Sequence, residues 1–121
     1  VFGFWGFNES FDGDEGIEAF ESRLTSWVQH VQSKTYNGTT PPRVVLFSSI
    51  PFEQTGDANL PDGAAHTERI KVYNGMIEKV ARKIGVAYVD LYTPMAERYA
   101  ELDDVRAAVR AQRTCLSASG R

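Results

Sequence analysis

The chain has 121 residues, a formal net charge of -3 and a hydrophobic fraction of 42%, which bounds it to one domain able to bury a core. The mild acidity supplies no electrostatic basis for nucleic acid or an anionic membrane as partner, and no apolar run reaches membrane-spanning length. The single cysteine, Cys115, excludes an internal disulfide and a cysteine-based zinc site.

The first element is an apolar, strand-like run from Val1 to Gly6. The chain opens inside this strand, so further segments are expected before Val1. Asn8 follows, then a loop holding Gly13 and Gly16. Ile17, Phe20, Leu24, Trp27 or Val28, and Val31 recur at helical spacing, which predicts a helix from about Gly16 to Ser33. Tyr36-Asn37-Gly38 and Pro41-Pro42 break it. Arg43 to Ser49 is a short β-branched run ending in small polar residues, as a buried parallel strand does. A long loop with Pro51, Gly56, Pro61 and Gly63 is expected from Ile50 to about His66. Ile70, Tyr73, Ile77, Val80 and Ile84 then mark one face of a second helix, stopped by Gly85. Val86 to Leu91 reads as a third strand. Thr93 is the expected N-cap of a further helix, with Pro94 at its first position.

Alternating strands and helices predict an α/β domain with a parallel sheet, right-handed crossovers and helices on both faces, hence three layers. Loops after the strands then open on one edge, gathering Asn8, Ser48 to Glu53 and Asp90 to Thr93. That edge is where open α/β sheets place their chemistry. Residues 1–100 form this unit. Residues 101–121 read as an atypical helical or disordered tail, in which Leu102, Val105 and Val109 give a stripe that fades. The tail is either a frayed amphipathic helix or a segment foreign to the fold.

Gly6-Phe7-Asn8-Glu9-Ser10 resembles the third conserved block of the SGNH/GDSL hydrolases, usually Gly-x-Asn-Asp, with Glu9 in place of the final Asp. Phe11 after that block, Arg43 to Pro51, Asn59 to Gly63 and Tyr88 to Pro94 resemble further segments of a planctomycete-type branch of that family. The resemblance covers about Val1 to Tyr99. It implies a flavodoxin-like fold, incomplete here at both ends, and a serine ester hydrolase acting on a small-molecule or carbohydrate ester without a cofactor. In the family, the block-three asparagine donates to the oxyanion, a role that maps onto Asn8. Gly6 matches the block's glycine and lets the backbone turn beside the site. The family's Gly-Asp-Ser and Asp-x-x-His blocks do not occur in these residues. The polypeptide as it stands is therefore expected to be inactive.

Each of these residues also has a plainer reading. Asn8 read by itself is a loop asparagine capping a turn. Ser10 has no nearby histidine in sequence and no nucleophile elbow, and reads as a helix-entry hydroxyl. Ser48 and Ser49 bond backbone or line a cleft. Glu53, Asp57 and Asp62 read as solvated acids, with no calcium spacing. Asp90 caps a helix or holds a loop, and His66 is an exposed helix-start residue. Trp27 packs on a helix face; Trp5 packs in the core or walls the cleft. A noncatalytic carbohydrate-binding or scaffold domain of the same fold is the alternative function. A nucleotide-binding domain is disfavoured, because Gly13 and Gly16 form neither Gly-x-Gly-x-x-Gly nor a P-loop.

Overall fold

The computed structural model describes residues 1–53, 58–59 and 62–118, with side chains through residue 108. Gly56, Asp57 and Pro61 of the expected loop lie outside the described residues, as do the side chains of Val109 and Cys115. The element order is β1 (Phe2–Phe4), two short 3-10 turns (Glu9–Asp12 and Asp14–Gly16), α1 (Ile17–Gln32), β2 (Val45–Phe47), α2 (Gly63–Ile84), β3 (Ala87–Val89) and α3 (Tyr92–Ala118). The strands form one sheet in the order β1-β2-β3, and both pairings are parallel. The domain is thus mixed α/β with a small parallel sheet. No helix among the described residues is long and apolar enough to cross a membrane.

The helical stripes bury as their spacing requires. Phe20, Leu24, Val28 and Val31 of α1 pack in one cluster with Tyr73, Ile77 and Val80 of α2, and all seven, with Ile70 of the same α2 stripe, are buried. Leu46 of β2 is fully covered by the same cluster. Register places Gly3, Leu46 and Tyr88 side by side on this covered face. At Gly3 a Cβ would stand 2.9 Å from Leu46 Cδ2 and 3.0 Å from Trp27 Cζ3, so glycine admits the indole onto the sheet. Gly85 ends α2 in the left-handed conformation at φ 79°, which glycine reaches without steric cost.

The opposite face differs from the expectation of helices on both sides. Phe2 and Phe4 are 68% and 66% exposed, Val89 is exposed, and Phe47 beside them is half-buried. Sheet order is the reason. With strands laid down consecutively, crossovers of one hand carry both connecting helices to the same face; coverage of both faces needs a reversal in strand order.

Boundaries also move: each strand is only the three-residue centre of its expected run, and two helices begin earlier than expected. The second helix begins at Gly63, with Asp62 as N-cap accepting the Ala64 N–H at 3.0 Å. His66 therefore lies inside the helix and on its buried stripe. The third helix begins at Tyr92, before Thr93, because Asp90 Oδ1 accepts the Tyr92 and Thr93 N–H groups at 2.8 and 3.2 Å. A carboxylate is a strong acceptor for these orphan donors, and it displaces Thr93 from the capping role. Helix α3 runs through the expected tail to Ala118, and its residues 101–108 are all exposed.

Candidate functional site

The three loops that leave the carboxyl ends of the strands are tied to one another by two serines. Ser49 Oγ donates to the Trp5 carbonyl at 2.8 Å, joining the second loop to the first. Ser48 Oγ accepts the Leu91 and Tyr92 N–H groups at 2.8 and 2.9 Å and donates to Asp90 Oδ1 at 3.3 Å, joining the second to the third. The Thr93 hydroxyl is the main cause that holds the Asp90 carboxyl below its ordinary pKa. Both serines are buried, so these bonds satisfy groups that have lost water. Ser48, Ser49 and Asp90 thus do the backbone and capping work expected of them.

Asn74 completes the second loop. Its side-chain oxygen accepts the Ser49 N–H at 2.7 Å and its amide nitrogen donates to the Ser49 carbonyl at 3.0 Å. Sequence reasoning missed it, although a signal existed. Asn74 lies four residues after Ile70 and three before Ile77 on an apolar stripe, where a polar residue needs a buried partner.

The loops line an open pocket of about 540 Å³, with Phe4, Trp5, Phe7, Ile50 and Leu91 as its apolar residues and Asn8, Glu9, Ser48 and Ser49 as its polar ones. Trp5 serves both of its expected roles: it lines this pocket and packs edge-on against Trp27 at 5.5 Å. Gly6 turns the chain into the site at φ 96°, and a Cβ there would stand 3.0 Å from Ile77 Cδ1 and 3.3 Å from Ser49 Oγ. Both the backbone angle and the close approach demand glycine. The Gly6 N–H donates to Glu9 Oε2 at 2.9 Å and its carbonyl accepts the Ser10 N–H at 3.1 Å. Its amide is therefore committed to shaping the turn.

Asn8 stands at the start of the 3-10 turn with helical backbone angles, and its side chain makes no capping hydrogen bond. The residue is exposed and faces the cavity. Its carbonyl accepts the Phe11 N–H at 3.2 Å, so the backbone holds the turn and the amide side chain is left for other work. The turn-capping reading of Asn8 thus has no bond behind it among the described residues.

His66 departs most from expectation, while Ser10 is the helix-entry hydroxyl expected, donating to the Phe7 carbonyl at 2.6 Å, but with His66 as a further partner. Ser10 is fully buried and His66 is only 3% exposed, with Ser10 Oγ 3.2 Å from His66 Nε2. The pair is separated by 56 residues in sequence, so no local pattern announces it. His66 stacks on Phe11 at a ring distance of 3.8 Å. Burial first, then the Arg69 charge, hold the imidazole below its ordinary pKa. The geometry resembles a nucleophile and its base, but a fully buried hydroxyl offers no attack on a ligand in the cavity.

Two of the three acids of the long loop, Glu53 and Asp62, have partners among the described residues. Glu53 pairs with Arg106 of α3 at 3.1 Å, and Asp62 caps α2. Among the described residues no cluster of three or more potential ligands could hold a metal ion.

Fold and site together define an α/β domain with a loop-built cavity at the carboxyl edge of a parallel sheet. No family model matches the chain, and no curated protein or solved structure is found that resembles it.

Proposed function

We propose that these residues form the oxyanion-binding part of a serine ester hydrolase of the SGNH/GDSL type, with Asn8 as an oxyanion donor. The nucleophile and its Asp-x-x-His partner belong, on this reading, to residues outside the 121. One observation carries it: an exposed amide side chain, free of any capping bond, lining an open pocket on the carboxyl edge of the sheet. An amide N–H donates without a change of protonation, so it is preorganised for the charge that develops as a serine oxygen bonds to the ester carbon. The consecutive β1-β2-β3 order agrees with strands 3-4-5 of a flavodoxin-like 2-1-3-4-5 sheet. In such a three-layer sheet, elements outside this segment would cover the open aromatic face.

The test is ester turnover by the polypeptide that joins these residues to the nucleophile and base. Asn8→Ala is expected to lower kcat by about 10²–10³ with little change in folding stability. Full turnover by that variant would remove Asn8 from the reaction. A noncatalytic carbohydrate-binding role is the second reading, favoured by the aromatic residues Phe4, Trp5 and Phe7 of the pocket. It predicts quenching of Trp5 fluorescence by an oligosaccharide and no hydrolysis of any ester.

A further inference from the structure

We propose that His66 is a positioning residue for the Asn8 turn, acting through Ser10 as a neutral imidazole that carries its proton on Nε2. That Nε2 carries a proton follows from donors and acceptors; that the ring is neutral follows from its burial among Phe7, Phe11 and Phe52, where a charge would lose its water. Ser10 Oγ lies 2.6 Å from the Phe7 carbonyl and 3.2 Å from His66 Nε2. A carbonyl can only accept, so the single hydroxyl proton points at Phe7. The remaining lone pairs of Oγ face the imidazole, and Nε2 must donate. This polarity is the reverse of general-base catalysis: the histidine gives a hydrogen bond to the serine and takes none from it.

The same ring braces both sides of Asn8. On one side it fixes the Phe7 carbonyl through Ser10. On the other it stacks on Phe11, whose N–H donates to the Asn8 carbonyl at 3.2 Å. Phe52 and Phe7 stand edge-on to the imidazole at 5.2 and 6.0 Å and complete an apolar enclosure. His66 itself is rigidly held, one turn into a helix capped by Asp62. The Asn8 side chain has no capping bond of its own, so its direction is inherited from the backbone of this turn.

Two measurements on the 121-residue chain test the clamp. Nitrogen-15 NMR of the His66 ring near neutral pH is expected to show the neutral tautomer protonated at Nε2; a proton on Nδ1 alone, or a charged ring, overturns the proposal. Amide hydrogen exchange is then compared in His66→Leu and His66→Gln, the latter placing an amide nitrogen near the Nε2 position. Exchange at Ser10 and Phe11 is expected to quicken at least about tenfold in His66→Leu and to return close to the original rate in His66→Gln, with Leu24 unchanged in both. Equal rates in the two variants overturn it. Should His66→Leu fail to fold, the ring tautomer decides.

The catalytic consequence rests on the ester-hydrolase reading. In an active hydrolase, His66→Leu lowers kcat at unchanged KM, and His66→Gln restores it. If Asn8→Ala leaves turnover intact, the hydrolase reading falls while the exchange and tautomer results still judge the clamp.

Discussion

The two faces of the sheet are built from alternate residues of the same short strands, yet they have opposite fates. Gly3, Leu46 and Tyr88 lie under α1 and α2, with Leu46 wholly buried, whereas Phe2 and Phe4 keep about two thirds of their surface in solvent at 68% and 66%. Hydrophobicity does not separate the faces, since the exposed one is the more aromatic. Phe4 and Phe47 even stack there at 4.6 Å, shielding each other in place of a helix. Connection order separates them: both crossovers return on the Leu46 side. Apolar character thus records that a face has to be covered, while chain topology decides which element covers it.

The comparison can be broken most forcefully at Leu46. Leu46→Ala opens a cavity beneath both helices and is expected to cost about 2–5 kcal/mol in urea unfolding. A loss below 1 kcal/mol, on the order expected of a surface change, would mean that the covered face is not the main core. Asn74→Leu comes next. It leaves the buried Ser49 N–H and carbonyl without partners, at an expected cost of about 1–3 kcal/mol, visible as a lower denaturation midpoint.

The pH dependence is smaller and has a definite sign. Because the His66 imidazole is held below its ordinary 6.5 in the folded chain, the unfolded chain binds the proton first as pH falls. Stability supplied by the neutral ring is complete above 6.5 and is lost as pH drops from there through the folded-state value. Unfolding curves between about pH 7 and about pH 5.5 should show this decline, and His66→Gln should reduce its slope. An identical slope in the variant would show that another group titrates.

Phe47→Ser on the open face carries the smallest stability effect, within about 1 kcal/mol. Its signature is reduced binding of a hydrophobic dye and less aggregation, because the apolar patch is interrupted. A large loss of stability would instead reveal that the face is packed in solution.

The helices were legible because their evidence is local. Stripes such as Phe20-Leu24-Val28-Val31 and Ile70-Tyr73-Ile77-Val80 repeat at the helical period and can face only one way. Gly85 as a helix stop was legible for the same reason. Parallel pairing followed from the alternation of elements. The loop edge that gathers Asn8, Ser48 and Asp90 followed from the pairing. His66 and Asn74 were the losses. Both sit on the α2 stripe, but each is polar, and a polar residue at an apolar position declares its partner only once the chain has closed.

Local chemistry along the chain therefore determined which segments became strands and helices and where the left-handed glycine falls, since each depends on neighbours a few residues apart, and the alternation of those elements in turn set which loops share an edge. The tertiary structure alone decided that Ser10 meets His66, that Asn74 brackets Ser49, and that one sheet face is roofed while the other is open. Those outcomes depend on partners 25 to 56 residues apart and on the hand and order of crossovers, which no periodicity within a segment encodes.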